Sequence, residues 1–367
     1  MLDDRGVDHA GDAALVYAAQ WLVPLFLAPA TSWLFNYNSP RLVLIACELG
    51  GVLLVCLIGS IEITGITAIF PLLVVRGLID VAVKSGRLIV LRLQFPGERL
   101  KQALSINSTS FVIGLAVAGL MASAIVHRLD LWSVALISSG CFALAAVAYA
   151  SLNLSAASKE MAVGEVRPSW WRQLSVLRVD HLLRRRFMLF CLLVATMQGY
   201  HMAARTVFPI RDLGMDASGP AWLQSIAIAG VLLGSIMVAL TVGGERVSKI
   251  RDEVIGLAGY AMMLATWLFA SPMIALGFYF VFMCLHEIVF VRLSADVMAD
   301  CPMEAVPAVS VAMTSGSLGG MTLFTILAGW GADFAGMANV CLAISGMGGL
   351  LLMASLMVPV PRSEGRA

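Results

Sequence analysis

The sequence predicts an all-α polytopic membrane protein made of two pseudo-symmetric helix bundles. Three observations support this prediction: the composition, a series of long apolar segments and an internal repeat. Of the 367 residues, 60% are hydrophobic and 13% are charged, against about 45–50% and about 25% in soluble domains. The seven Cys residues form no C-x-x-C pair, so neither a disulfide scaffold nor a zinc site is expected. A net charge of +1 offers no basic field for nucleic acid.

The apolar segments are long enough to cross a bilayer. A hydrocarbon core about 30 Å thick needs about 20 apolar residues in a helix, because lipid cannot hydrogen-bond an open backbone. The stretch 1–12 is acidic and has no apolar core, so it is not expected to be a signal peptide. The predicted spans are residues 13–36, 41–60, 64–83, 104–127, 131–153, 187–208, 219–242, 253–271, 273–292, 305–329 and 336–359.

The distribution of Lys and Arg predicts the orientation in the membrane. Positive residues in short loops remain on the cytoplasmic side. If the spans alternate from an outside N-terminus, most of the 24 Lys and Arg residues fall on one side, including those in stretches 84–101 and 159–186. We therefore expect a protein of the inner membrane with its N-terminus outside and its C-terminus in the cytoplasm.

An internal repeat relates the two halves of the chain. The segment SINSTSFVIG at 105–114 aligns with SVAMTSGSLG at 310–319, and LISSG at 136–140 meets LAISG at 342–346 with a slip of one residue. Spans 219–242 and 273–292 map back onto 14–37 and 68–87. Many transporters consist of two duplicated halves with the substrate site between them, near the bilayer midplane.

The two halves are unequal in this prediction. Span 187–208 maps to a position before Met1, which leaves five spans in the first half and six in the second. We expect a first bundle at 1–153, a cytoplasmic linker at 154–186 and a second bundle at 187–367. Two explanations account for the lack of a counterpart to span 187–208 in the first half: a misplaced gene start or a natural eleven-span protein. The sequence does not distinguish between them.

The linker carries an amphipathic pattern. Trp170, Trp171 and Leu174 are interleaved with Arg172 and Arg178 and precede the run 184–186 of arginines. This pattern is typical of a helix that lies at the cytoplasmic interface against anionic lipid. A basic flank of the next span explains it equally well.

The loop at 32–41, SWLFNYNSPR, follows the first predicted span. It resembles the G-x-L-a-D-R-x-G-R-R loop of the major facilitator superfamily, whose members join two halves of six helices by a basic cytoplasmic loop. Leu34 and Arg41 fit that pattern, whereas Asn36 stands where the family has an acidic residue that locks the loop to a neighbouring helix. The resemblance implies that Asn36 and Arg41 belong to a gating loop with a weakened lock.

The stretch from Phe95 to Gly119 is similar to the P-x-E-x-L-x-x-A-N-x-L segment of one exporter branch, which includes macrolide efflux pumps and the enterobactin exporter. Pro96, Leu100, Ala103 and Gly119 match this pattern, Glu98 is displaced by one position, and Ser105 stands near the usual Asn. The resemblance implies export of a small amphiphilic compound, a drug or a siderophore.

Ionisable residues inside spans are costly, so each is a candidate functional residue. Arg76 and Asp80 lie at i and i+4 and can pair. Arg76 also resembles the arginine that the family keeps in its fourth helix, where it is associated with proton coupling. Asp80 would then take and release the coupling proton as Arg76 moves away. A structural pair that only neutralises its own charge is the alternative.

His286 and Glu287 lie near the corresponding position of the second half. Adjacent residues point about 100° apart on a helix, so at most one of them faces a central cavity. Either side chain is a candidate for proton coupling.

The span 187–208 carries the clearest polar stripe, formed by Gln198, His201, Met202 and Arg205 at helical spacing. These side chains are candidate substrate contacts, because the resembled fold lines its cavity with this helix. Polar packing between helices is the alternative for the whole stripe. Arg205 can also serve as an external gate or as an anchor at the outer interface.

The sequence thus predicts a secondary active transporter that couples export of an amphiphilic molecule to protons by alternating access. A transport-impaired relative that acts as a sensor or partner protein is the alternative. A membrane enzyme is disfavoured, because the polar residues around Cys301 have no recognisable catalytic spacing. The sequence has no phosphate-binding loop, so neither a nucleotide nor another cofactor is expected. The expected partners are the substrate, the proton and the bilayer, and the protein is expected to be monomeric.

Overall fold

The computed structural model describes residues 20–60, 66–95, 97–125, 130–153, 169–216, 218–241, 250–269 and 271–357. Within these ranges the chain forms helices joined by short connections, and no strand occurs in them. The acidic stretch 1–12, the first part of the linker and both termini lie outside the described residues. The predictions about their structure and orientation therefore remain predictions.

The first half is a series of helices that follow one another through the sequence. Residues 20–26 are helical and lead into the first named helix across a turn at Leu27. The helices are α1 (Ala28–Tyr37), α2 (Pro40–Ser60), α3 (Ile66–Gln94), α4 (Glu98–Ile125) and α5 (Leu131–Ser151).

Two short helices of the linker lead into the second half, α6 (Trp170–Leu174) and α7 (Val176–Val179). The next helix, α8 (His181–Asp212), contains two π-helical turns, Val194–Gln198 and Phe208–Asp212. The remaining helices are α9 (Gly219–Thr241), α10 (Asp252–Ala265), α11 (Pro272–Asp300), α12 (Val306–Ala335) and α13 (Met337–Met357).

Local chemistry fixes several helix ends. The Asp130 carboxylate caps α5 by accepting a hydrogen bond from the Ser133 backbone N–H at 3.1 Å. Asp180 caps α8 in the same way, with bonds from the N–H groups of Leu182 and Leu183 at 2.9 and 3.0 Å. Gly336, between α12 and α13, has φ +82°, a conformation that a side chain disfavours.

Seven of the described helices are long and apolar enough to cross a membrane, namely α2, α5, α8, α9, α11, α12 and α13. The other predicted spans coincide with helices that are only partly described or, for α10, with a helix of 14 residues. Several helices extend beyond the predicted apolar spans, because charged residues can continue a helix into the polar interface of the membrane. Thus α3 continues to Gln94, and α8 already begins at His181, inside the expected linker.

Within the described residues the packing shows two groups of helices that are arranged alike, here called the first and the second bundle. In the first bundle α2 packs against α3 and α5, and in the second bundle their counterparts α10, α11 and α13 pack in the same way. The two bundles meet where α12 contacts α1 and α3, and where α4 contacts α9 and α11. These contacts, together with a smaller one between α3 and α11, form the junction between the bundles.

The bundles differ in how their centres are filled. In the second bundle α8 packs against both α11 and α12, and most of α8 and α11 is buried. In the first bundle most residues of α2 are half-buried or exposed, and most residues of α5 are exposed.

Candidate functional site at the junction of the two bundles

The carboxylate of Glu287 lies at the junction of the two bundles. Glu287 is halfway along α11 and only 4% exposed. Its Oε1 atom accepts hydrogen bonds from the hydroxyl of Ser108, on α4 of the first bundle, and from the hydroxyl of Ser235, on α9, at 2.9 Å. One buried carboxylate is therefore bonded to both bundles at once.

Small residues make this junction possible. The hydroxyl of Ser105, one turn before Ser108 on α4, donates to the backbone carbonyl of Ser235. On α9, Gly230 and Gly234 face α11 so closely that an added Cβ atom would lie 2.5 Å from backbone oxygens of that helix. Small residues allow two helix backbones to approach each other. The same approach brings the Ser235 hydroxyl within reach of Glu287.

His286 points in a different direction from its neighbour Glu287. Its ring stacks on Phe290 with 6.2 Å between the ring centroids, and Phe290 in turn lies beside Phe190 of α8. The side chain is 6% exposed, and neither ring nitrogen has a hydrogen-bond partner among the described residues. His286 thus lies inside the second bundle, whereas Glu287 lies at the junction.

Arg76 and Asp80 form the expected ion pair on α3, with 3.4 Å between Nε and Oδ1. The two side chains are 31% and 22% exposed. The guanidinium of Arg76 lies over the ring of Phe142 on α5, 5.0 Å from its centroid. The pair belongs to the first bundle, and no described contact joins it to Glu287.

The polar stripe of α8 is divided between two environments. His201 is 3% exposed and shares a hydrogen bond of 2.6 Å with the hydroxyl of Tyr279 on α11. Gln198, Met202 and Arg205 are half-buried. Gln198 is also the last residue of the π-helical turn Val194–Gln198, a type of local distortion that is frequent at functional sites.

The residues of the expected gating loop have local partners. The Asn36 side chain accepts a hydrogen bond of 3.1 Å from the Gln173 amide of the linker helix α6. Arg41 donates to the carbonyl of Ala150 at the end of α5. In α6, Trp170 packs against the core and Trp171 is 74% exposed, so the two Trp side chains lie on different faces of the helix.

A group of charged residues holds the bundles together at the ends rich in Lys and Arg, here called the basic end. Lys101 of α4 pairs with Asp296 of α11 at 3.3 Å, and Arg92 of α3 donates to the carbonyl of Ala299 at 3.0 Å. Asp296 also pairs with Arg186 of α8 at 3.6 Å. Both cross-bundle contacts converge on the last turns of α11, so the two bundles are in contact at this end.

The described residues contain no group of three or more His, Cys, Asp or Glu side chains that could hold a metal ion. The arrangement is instead that of two helix bundles with a buried carboxylate between them.

Comparison with protein families identifies the chain. The family model of the Major Facilitator Superfamily matches residues 1–322. The chain belongs to the major facilitator superfamily. It is therefore a multi-pass membrane transporter of small molecules and not an enzyme. A comparison with curated protein sequences finds no significant match.

Solved structures of superfamily members share the fold. The human organic anion transporter MFSD10 (TETRAN) superposes with a TM-score of 0.74 at 16% sequence identity, covering 93% of this chain and 83% of that one. The E. coli fucose:proton symporter FucP superposes with a TM-score of 0.70 at 15% identity, covering 95% of this chain and 91% of that one. A structure of FucP in the outward conformation gives 0.69 at 15% identity, covering 96% and 91%.

The sequence does not indicate the roles of several residues that form the site of this superfamily member. Ser235 is one serine among many in apolar helices, and Ser108 belongs to a small polar stretch that is typical of helix packing. Only their distances to Glu287 distinguish them. The ion pair between Lys101 and Asp296 cannot be predicted from the sequence either, because the two residues are far apart in it. The repeat could have suggested that α4 and α11 lie close, but not which side chains meet.

Proposed function

We propose that the protein exports a small amphiphilic molecule, a drug or a siderophore, in exchange for protons, by alternating access of its two bundles. The proposed bundles are residues 1–153 and 187–367, joined by the linker 154–186. In this proposal the protein works as a monomer in the inner membrane, with its N-terminus outside and its C-terminus in the cytoplasm. A proton symporter and an organic anion transporter among the structures of similar fold agree with proton coupling and a small organic substrate.

The observation that carries the proposal is the position of Glu287. A buried ionised carboxylate is costly unless hydrogen bonds compensate it. Ser108 and Ser235 supply such bonds only while α4 and α9 both lie against α11. Separation of the bundles removes the Ser108 bond, so the protonation of Glu287 and the closure of the junction are thermodynamically linked.

The other candidate residues have supporting roles in this proposal. Arg76 and Asp80 form a second proton-coupling pair in the first bundle, and His286 contributes to proton coupling from within the second. The half-buried side chains of Gln198, Met202 and Arg205 contact the substrate from α8, and His201 supports this face through Tyr279. Asn36 and Arg41 belong to the gating loop.

The test is transport into everted membrane vesicles with ethidium as an amphiphilic cation and enterobactin as a siderophore. We expect an imposed pH gradient to drive uptake of at least one probe. The Glu287→Gln variant should lose at least about tenfold of the gradient-driven uptake, because its amide cannot exchange a proton. The same variant should still exchange bound probe in the absence of a gradient.

The matched control is Glu304→Gln, which makes the same chemical change at an exposed carboxylate after α11. This variant should transport like the unmodified protein. Gradient-driven uptake that survives in Glu287→Gln would remove this carboxylate from the coupling mechanism. Absence of uptake for both probes, in protein that is folded and inserted, would contradict the proposed substrate class.

A further inference from the structure

Oxygen atoms from three helices meet at the Glu287 carboxylate. The hydroxyl of Ser108 on α4 and the hydroxyl of Ser235 on α9, at 2.9 Å, both bond to its Oε1 atom. The hydroxyl of Ser105, one turn earlier on α4, bonds to the backbone carbonyl of Ser235 and so holds α4 against α9. The carboxylate and the hydroxyls of Ser108 and Ser235 are here called the oxygen cluster.

Helix packing alone does not account for the oxygen cluster, because the other side of the junction is built without one. The internal repeat assigns an equivalent residue to each member: Ser108, Ser235 and Glu287 correspond to Met313, Ala30 and Ala82. The equivalent residues lie on α12, α1 and α3, and α12 contacts both of the other helices. Apolar residues are therefore sufficient for packing in this geometry, and a buried carboxylate at the equivalent place needs another explanation.

No cationic side chain pairs with Glu287 among the described residues. The nearest Lys or Arg residues along α4 and α11 are Lys101 and Arg292, which pair with Asp296 at 3.3 Å and with Asp252 at 2.8 Å. The sequence of α9 contains no Lys, Arg or His. A buried ionised carboxylate is costly when only neutral groups surround it. A bound cation would remove this cost.

The chemistry of the oxygen cluster indicates which cation fits. Hard cations prefer oxygen ligands, and such a site needs neither His nor Cys. One carboxylate balances one positive charge, whereas a divalent ion would leave a net charge inside the membrane. Gly230 and Gly234 bring α9 so close to α11 that little space remains between these helices. A small monovalent ion therefore fits better than a large one.

We propose that the oxygen cluster binds a sodium ion, with the Glu287 carboxylate and the hydroxyls of Ser108 and Ser235 as ligands. The two hydroxyls then turn so that their oxygen lone pairs face the ion. Because Ser108 belongs to the first bundle and the other ligands belong to the second, the ion stabilises the contact between the bundles. Sodium and a proton are alternative partners of the same carboxylate. The proposal does not depend on export, since binding is measured without transport.

The test measures binding of radioactive sodium to the purified full-length protein in lipid nanodiscs, at one fixed, slightly alkaline pH. We expect saturable binding. Unlabelled Li⁺ should displace the radioactive ion, and K⁺ should do so at least about tenfold less effectively. Absence of saturable binding to folded protein, or equal displacement by Li⁺ and K⁺, would overturn the proposal.

Two variants connect the binding to the oxygen cluster. Glu287→Gln should remove the saturable binding, because the neutral amide does not balance the charge of the ion. Ser235→Ala removes one ligand oxygen, leaves the carboxylate in place and should weaken sodium binding at least about tenfold. The matched control is Ser225→Ala on the same helix, whose hydroxyl donates to the carbonyl of Ala221 at 2.9 Å. This control should bind sodium like the unmodified protein. Unchanged affinity in Ser235→Ala, or saturable binding in Glu287→Gln, would contradict the assignment.

The outcomes for the sodium site and for proton-coupled export are separate. Protein that takes up ethidium or enterobactin under a pH gradient but binds no sodium would overturn the sodium site and leave the proposed function intact. Protein that binds sodium through Glu287 but transports neither probe would support the sodium site and contradict the proposed substrate class.

Discussion

His201 and His286 look alike in the sequence, since each is a lone histidine in an apolar helix. Their surroundings differ. His201 shares a hydrogen bond with the hydroxyl of Tyr279, whereas His286 stacks on Phe290 and its ring nitrogens have no partner among the described residues. A buried polar group without a partner is uncommon in folded proteins. His286 is therefore the histidine whose contacts are expected to change when a proton, a water molecule or substrate enters.

The bond between His201 and Tyr279 gives a prediction about stability. The His201→Ala variant leaves the buried Tyr279 hydroxyl without its partner, which costs about 1–3 kcal/mol. We expect a lower unfolding temperature in detergent, measured by intrinsic fluorescence. Met202→Ala, at the adjacent half-buried position, should have a clearly smaller effect. If the two variants unfold at the same temperature, the hydrogen bond does not contribute to stability.

At the scale of helices, the contact between α9 and α11 depends on glycine. Gly230 and Gly234 are one turn apart and both face backbone atoms of α11. Close backbone approach increases van der Waals contact, which is a main source of helix association in lipid. The same geometry sets the distance from Ser235 to Glu287, so helix packing and the candidate proton site are coupled.

The Gly234→Ala variant tests this coupling. Its Cβ atom would lie 2.5 Å from the Cys284 carbonyl oxygen and 2.9 Å from the Glu287 Cβ atom, so α9 must move away. Overpacking of this kind costs about 1–3 kcal/mol. We expect a lower unfolding temperature together with a lower rate of proton-coupled transport.

The control for this variant is Gly277→Ala on α11, where an added Cβ atom meets nothing within 4 Å. This change should be neutral or slightly stabilising, because alanine favours a helix over glycine by about 1 kcal/mol. Equal behaviour of the two variants would show that the space between α9 and α11 is not limiting.

At the scale of the whole molecule, the bundles are in contact at the basic end. The connection between Lys101 and Asp296 is an ion pair between bundles, and the bond from Arg92 to Ala299 reinforces it. Partly exposed ion pairs are weak, with contributions on the order of 0.2–1 kcal/mol. Such a contact can favour one conformation without preventing the change to the other.

The Asp296→Asn variant should therefore increase the fraction of molecules that are open at the basic end by about two- to fivefold. Distances between spin labels on the basic ends of α4 and α11 would measure this fraction. Asp252→Asn makes the same change in an ion pair that lies within the second bundle, 2.8 Å from Arg292. An equal shift in both variants would mean that the effect is not specific to the contact between bundles.

The sequence allows the architecture to be predicted because membrane helices must satisfy two strong constraints. Their apolar length must match the bilayer, and the repeat must bring equivalent helices to equivalent places. The fold class and the pairing of Arg76 with Asp80 follow from these constraints and from local spacing, whereas the superfamily follows from the resemblance of the stretches 32–41 and 95–119 to its motifs. The π-helical turns of α8 could not be predicted, because no periodic pattern in the sequence marks them. The hydrogen bonds of Glu287 could not be predicted either, because they join residues of three different helices.

The unequal filling of the two bundles has a consequence for how the protein comes apart. Most of α8 is buried in the second bundle, whereas α2 and α5 of the first bundle pack against each other but leave most of their residues outside the buried core. A larger share of these two helices therefore contacts lipid. Replacing lipid with detergent should therefore loosen the first bundle long before the second, so loss of activity on solubilisation need not mean loss of the fold.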